Sequence, residues 1–310
     1  MQNICPICKK RNFFEVVTNC KENIRLTQKS YTYGKCFNCK IISLWPTPDV
    51  TSISRHYEFL NKEKERNISN KKTVALLLKI KNYYQNKKNI KNYLRNILKF
   101  GEEDFPYLNR LSGKKILDLG AGNGFFSLAA KEKGFNVISI EQNKSSINFA
   151  KSIGIKMIAT DISSKISMYH ASLVDNVVLN HVFEHIMNPD NFLSLLHQNI
   201  SNHTKVVIFI PNANSIWRYI FKEKWYGWDP PIHLHLYNKS AIEIIAKNAG
   251  FKVEYLSSIN RIDSFYAALM HSGRNPKGLK LFLRLIIFPI QPFLKLFNLT
   301  PELLCILSKK

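Results

Sequence analysis

Lys115-Ile116-Leu117-Asp118-Leu119-Gly120-Ala121-Gly122-Asn123-Gly124-Phe125-Phe126 is the stretch from which the rest of the chain is read. An apolar run of strand length ends in closely spaced glycines and passes into a helix pattern at Phe126, Leu128, Ala129 and Ala130. That order predicts a strand, a tight turn and a helix, with a ligand-facing crevice at the strand's carboxyl end. Glycine at 120 and 122 lets the backbone take positive dihedrals and approach a bound molecule closely. A dinucleotide turn of the form G-x-G-x-x-G would need its third glycine at position 125, which holds Phe125, while Gly124 falls one place early. The spacing therefore speaks against NAD.

The pattern continues as alternating strands and helices. Gly134 ends the first helix, and Asn136-Val137-Ile138-Ser139-Ile140 reads as a second buried strand ending at Glu141. A carboxylate there can accept hydrogen bonds from both hydroxyls of a ribose. A helix at 145–152 and a short strand at 156–159 lead to Asp161; further strands are expected at 173–180, 205–210, 251–257 and 303–307.

With Asp118 in front, the D-x-G-x-G-x-G course resembles the first motif of class I S-adenosylmethionine (SAM) methyltransferases. The resemblance implies a Rossmann-like α/β domain over about 111–310, with a seven-stranded sheet whose last strand is antiparallel and with SAM as cofactor. It implies a donor loop of Asp118, Gly120, Ala121, Gly122, Gly124 and Phe125, ribose contacts from Glu141 and Gln142, adenine contacts from Asp161 and Ile162, and Asn180 and His181 in the donor pocket.

The 310 residues suffice for one sizeable core and a small accessory unit. A net charge of +23 favours anionic partners such as phosphates, nucleic acid or an acidic membrane surface. Abundant lysine, asparagine and isoleucine, as in proteins of AT-rich genomes, offer a purely compositional alternative. Met1-Gln2-Asn3-Ile4-Cys5 has neither a basic start nor an apolar core behind it, so a cytoplasmic protein is expected.

Cys5-Pro6-Ile7-Cys8 and Cys36-Phe37-Asn38-Cys39 are two C-x2-C knuckles, each able to aim both thiolates at one tetrahedral ion. With strand-like runs at 13–17, 31–33 and 41–44, residues 1–48 read as a zinc ribbon whose four cysteines leave no open position, so the metal is structural; rubredoxin-type iron is the alternative. A unit this small needs its metal to fold. Cys20 and Cys305 have no partner by spacing. Trp45-Pro46-Thr47-Pro48-Asp49 reads as a hinge, with Asp49 capping a helix at 50–60. Knuckles, an apolar stretch, a Pro-x-Pro turn and a helix bearing His56 and Tyr57 together resemble the heads of methyltransferases of bacterial sugar and surface-polysaccharide pathways.

Residues 49–110 form a basic linker or lid region, and from 61 to 100 the chain is dense in lysine, with apolar residues at helical spacing. It reads either as a lid or basic face, or as amphipathic helices packed on the core. It carries no RRM- or KH-type signature, which leaves nucleic acid the less favoured partner.

His181, Glu184 and His185 spell H-x-x-E-H, an inverted zinc-protease motif that needs both histidines on one helix face. Its position at a strand end and the helix-starting Pro189 exclude that reading. The residues instead resemble the "EH" segment ending strand four in class I methyltransferases. The insertion after strand five concentrates Trp217, Trp225 and Trp228, aromatic surface that would suit a ring-shaped acceptor such as a sugar. Its Trp225, Gly227, Asp229, Pro231, His233, Leu234 course resembles the acceptor side of the same sugar-pathway enzymes. Asp229-Pro230-Pro231-Ile232 lacks the final aromatic of a D-P-P-[YFW] box and follows the wrong strand, which argues against methylation of nucleic-acid bases. His233 and His235 alternate as on a strand and would face one way. The candidate general bases are His233, His235 and His185, against the alternative that each is a structural histidine. The segment 279–299, apolar but interrupted by Lys280, Arg284 and Lys295, is too broken to span a bilayer; it lies in a membrane interface or packs on the domain. The expected acceptor is a small molecule or glycan, above all a nucleotide- or lipid-linked sugar intermediate, with peripheral contact to an anionic membrane; the alternatives are a quinone-type or RNA methyltransferase, or a SAM-binding module without turnover.

Overall fold

The computed structural model describes residues 4–22, 29–49, 51–57, 59, 105–260 and 287–310. Three antiparallel strands come first: β1 (Phe13–Cys20), β2 (Tyr31–Cys36) and β3 (Ile42–Trp45). After a 3-10 turn at Pro106–Arg110 follow β4 (Lys115–Leu119), α1 (Phe125–Glu132), β5 (Asn136–Glu141), α2 (Lys144–Ser152), β6 (Ile158–Ala159) and α3 (Lys165–Ala171). Next come β7 (Asn176–Asn180), α4 (Pro189–Asn199), β8 (Lys205–Pro211), α5 (Ile216–Phe221), β9 (His235–Leu236), α6 (Lys239–Asn248) and β10 (Phe251–Ile259). The last described stretch carries α7 (Gln291–Leu296) and β11 (Glu302–Lys309).

The larger sheet runs β10-β11-β8-β7-β4-β5-β6, with β4 to β8 parallel and β11 antiparallel to both neighbours. This is the expected seven-stranded α/β sheet. Neighbouring residues of one strand enter opposite cores: Ile116, Val178, Val207 and Phe209 pack with Phe126, Leu128 and Ala129 of α1. On the other face, Leu117, Leu179, Val206 and Ile208 pack with Phe192, Leu193 and Leu196 of α4 and Ile242 of α6. Both faces are covered by helices, which is why the strands are apolar throughout instead of alternating. Asn143, Ser164 and Asn238 start α2, α3 and α6 by accepting the N–H of Ser146, Ser167 and Ala241. Strand β4 has β5 on one side and β7 on the other, so the sheet's order reverses there and opens a crevice at the carboxyl ends.

The smaller sheet departs from a self-contained ribbon over 1–48. Its fourth strand is β9, paired antiparallel with β3 (Ile42 opposite Leu236, Ser43 opposite His235), and Leu44 N donates to Leu234 O at 2.9 Å. A third core fills this junction, joining Tyr33, Ile42 and Leu44 to Trp217, Trp225, Trp228 and Leu234. Trp225 and Trp228 are 0% and 2% exposed. The aromatic insertion is therefore packing between the two sheets, not an open platform for a sugar ring. The Tyr33 hydroxyl completes the junction by donating to the carbonyls of His233 and Trp228.

Asp49 caps the helical turn at 51–57 as expected, accepting from Ser52 N at 2.7 Å. The lysine-rich helices expected at 61–100, and 279–286 of the apolar segment, lie outside the described residues. No described helix is long and apolar enough to cross a membrane.

Candidate active site

Gly120 and Gly122 have φ of +73° and +53°, so the turn after β4 needs glycine at both positions. A Cβ on Gly120 would meet Val182 Cγ2 at 2.7 Å, whereas one on Gly122 would find nothing within 4 Å and point into open space. The N–H groups of Gly120 and Ala121 both donate to Ile140 O, tying the turn to β5. Glu141, at the end of β5, is held ready: its Oε2 accepts from Gly122 N (2.8 Å) and its Oε1 from Gln142 N and Asn143 N (2.9 Å each). Asn123 Oδ1 is buried beside this turn without a hydrogen-bond partner.

Gly120, Gly122, Glu141, Gln142, Asp161 and Ile162 line a cavity of about 750 Å³. Asp161 also makes the turn before α3, its Oδ1 accepting from Ser163 N at 2.7 Å. The same cavity is also lined by Tyr57, His181, Val182, His185, Met187 and Leu234.

Phe183–His185 is a single 3-10 turn, so His181 and His185 do not share a helix face and the protease geometry is absent. Glu184 is 0% exposed; His181 Nδ1 lies 3.2 Å from its Oε1, while Oε2 has no hydrogen-bond partner among the described residues. Burial raises its pKa, but the hydrogen bond from His181 and the nearby imidazoles outweigh burial and bring it down to about 2. Glu302 on β11 approaches His181 from the other side, 4.0 Å from Nε2. His185 Nδ1 donates to Ile232 O and His233 Nδ1 to Gly227 O, each at 2.8 Å, and the two rings lie 4.9 Å apart. Burial pushes both imidazoles below their ordinary pKa, against the pull of Glu184.

His235 departs from expectation. Strand β9 begins only at His235, and the two rings meet different partners, His233 the Gly227 carbonyl and the His185 ring, His235 the Ser43 hydroxyl and the Met187 carbonyl. His235 is 1% exposed; its Nδ1 pairs with Ser43 Oγ (2.9 Å) and its Nε2 with Met187 O (3.2 Å), while burial lowers its pKa to about 4. Both nitrogens are spent on joining the sheets, which removes it from the candidate bases. Tyr57, by contrast, went unassigned although it sits on the noted tyrosine-bearing helix. It lines the cavity with its ring 6.5 Å from His185, and burial raises its phenol pKa.

A family model described as "Methyltransferase domain" matches residues 85–256, more than half of the chain and the whole run from β4 into β10. The chain belongs to the methyltransferase-domain family. It is 29% identical over 142 residues to the ubiquinone biosynthesis O-methyltransferase of Rickettsia typhi, covering 43% of this chain and 56% of that protein. It is likewise 29% identical over 121 residues to the mitochondrial ubiquinone biosynthesis O-methyltransferase of Schizosaccharomyces pombe, covering 36% and 43%. The chain spans about half the length of the curated relatives it matches. Among solved structures it is similar to a SAM dependent methyltransferase from Archaeoglobus fulgidus, at 20% identity and a TM-score of 0.45, over 70% of this chain and 99% of that one.

Several expected donor-site residues support the loop without reaching the cavity. Gly124 is the N-cap of α1, Phe125 packs on Phe149, and Asn180 Oδ1 accepts from the Tyr107 hydroxyl. Asp118 is 1% exposed beneath the turn; burial, opposed by the hydrogen bond from Ser127 Oγ (2.5 Å), pushes its carboxyl up to about 7. The folded chain then keeps a proton that the unfolded chain releases above pH ~4, so this group's contribution to stability falls as pH rises from ~4 to ~7. Asp118→Asn cannot ionise and is expected to gain on the unmodified chain by on the order of 2–4 kcal/mol between pH ~4 and ~8. Urea denaturation across that range checks it; a stability difference independent of pH would rule out the raised pKa.

The four knuckle cysteines do converge. Cys5 and Cys39 sulfurs are 3.7 Å apart, Cys8 and Cys36 3.5 Å, and all four lie within 4.8 Å of one another. A tetrahedral ion with Zn–S bonds of about 2.3 Å needs sulfurs roughly 3.8 Å apart. The cluster is thus compatible with zinc.

Proposed function

We propose that the chain is a SAM-dependent O-methyltransferase whose acceptor is a hydroxyl on a small aromatic molecule of the phenol or quinol type, and that the four cysteines hold a structural zinc ion. The observation that carries this reading is the continuity of one cavity from Gly122 and Glu141 to His185. When bound, the donor supplies an electrophilic methyl group on sulfur. The Glu141 oxygens keep lone pairs for the ribose hydroxyls, and Asp161 with Ile162 borders the adenine. His185, its Nδ1 hydrogen committed to Ile232 O, presents an Nε2 lone pair to receive the acceptor's proton. Displacement at the methyl group is in line, so most of the chain's task is to hold the hydroxyl at near-attack distance.

The part of the wall outside the glycine turn, β5 and β6 includes Ile53, Tyr57, Ile186, Met187 and Leu234, which suits an acceptor with an apolar body. The names of the two ubiquinone-pathway relatives support the same acceptor class. The resemblance of the knuckles and of the 225–234 course supports a second reading, a nucleotide- or lipid-linked sugar. Exposed Phe293, Leu296 and Phe297 beside Lys295 support contact with an anionic membrane surface.

Transfer of labelled methyl from SAM to a panel of phenols, quinols and nucleotide sugars tests the proposal. Label in phenols or quinols supports it, label in sugars alone overturns the acceptor class, and failure to bind SAM overturns the whole reading. Glu141→Ala is expected to raise the SAM Kd at least about tenfold, the equivalent of one hydrogen bond to a charged group. Calorimetric titration would show it; an unchanged Kd would remove Glu141 from the donor site.

A further inference from the structure

Glu184, His185 and His233 have a feature that the donor site does not explain. One donor atom from each lies within 4.8 Å of the others, and the three come from two segments locked together by Leu234 N donating to Glu184 O at 2.9 Å. Each imidazole is oriented from behind, with its Nδ1 hydrogen given to a backbone carbonyl, so each keeps its lone pair on Nε2. Glu184 is fully buried, and among the described residues its Oε2 has no hydrogen-bond partner. An unpaired carboxylate oxygen in that position is costly unless something positive completes it.

We infer that these three residues form a second metal site, for a divalent cation of the Mn2+, Fe2+ or Zn2+ class. Two imidazoles and one carboxylate on one side of an ion leave its other positions to water or an oxygen ligand. Metal bonds of about 2.1 Å set adjacent ligand atoms roughly 3.4 Å apart, so the groups draw inward on binding. The site is chemically distinct from the cysteine cluster: four thiolates select soft or borderline ions, whereas a carboxylate with two imidazoles also takes a hard ion such as Mn2+. His185 lines the cavity, so the ion's open positions face the place where a hydroxyl acceptor would enter. That consequence rests on the proposed function: with an ion present His185 is a ligand, and the cation acidifies the hydroxyl in place of the imidazole. The binding itself does not depend on that reading.

Mn2+ titration of the full chain, zinc-loaded at its cysteines and followed by the loss of the free-ion EPR signal, tests the site without donor or acceptor. One Mn2+ per chain is expected. His185→Gln and His233→Gln are each expected to weaken it at least about tenfold, the loss of one metal ligand. Exposed His203→Ala should leave the affinity unchanged. Circular dichroism confirms that each variant is folded, and Mn2+ should raise the thermal midpoint of the unmodified protein but not of the Gln variants. No saturable Mn2+ binding by the folded protein, or equal binding by both Gln variants, overturns the inference. Mn2+ binding without methyl transfer to any acceptor would instead leave the site standing and count against the proposed function.

Discussion

His185→Ala is expected to lower kcat by about 100- to 10,000-fold, the usual contribution of a positioned proton-transfer group, with SAM affinity nearly unchanged. The split follows from the proposed roles. Glu141, Gly122 and His185 line one cavity, and on that reading the first two hold the donor while His185 meets the acceptor. Alanine also vacates Ile232 O, a small loss in a turn that keeps its backbone bond between Leu234 N and Glu184 O. Stopped-turnover kinetics with calorimetric SAM binding checks both halves. If kcat falls less than about tenfold, proton removal does not pass through His185; if SAM binding is lost as well, the two roles are not separable.

The second large effect concerns a residue far from the methyl group in sequence. Cys36→Ser is expected to abolish stoichiometric zinc, lower the thermal midpoint and reduce kcat/KM by at least about tenfold, because metal binding supplies folding energy that a unit of this size lacks. The route to the active site is structural. β3 pairs with β9, and the two residues before β9 are His233, which reaches His185, and Leu234, which lines the cavity. A loosened ribbon therefore loosens the segment that carries His233 and Leu234, the acceptor side of the proposed site, while the glycine turn after β4 keeps its shape. Metal analysis beside kinetics decides the matter, and iron in place of zinc would assign the cluster to the rubredoxin type. Full activity in metal-free Cys36→Ser protein would show that the ribbon rides passively on the domain.

What could be read from the chain beforehand was what neighbouring residues decide. The glycine turn, Glu141 at a strand end and the knuckles each depend on a few consecutive positions, and continuous apolar runs revealed a sheet covered on both faces. Legibility failed where distant segments meet. Strand β9 is two residues long and exists because β3 offers it an edge, so nothing local marked its start and His233 was assigned strand alternation one turn too early. The tryptophans looked like a binding surface because composition does not reveal that Tyr33 and Leu44, some 180 residues away, would cover them. Asp118 matched a motif, but its role beneath the turn appears only once Ser127 and Ser139 close over it.

Strand β11 has a consequence for how this chain is made. It lies between β8 and β10 and joins β10 to the sheet, so during synthesis β8 keeps an open edge and β10 stays unpaired until residue 309 has left the ribosome. Glu302, which faces His181, arrives on that same strand. The glycine turn and its carboxylate can thus assemble on a nascent chain well before the acceptor side gains its full complement of charge. A ribosome stalled between 260 and 300 would carry a half-enzyme with an open sheet edge and an unpaired strand, a natural target for chaperone capture.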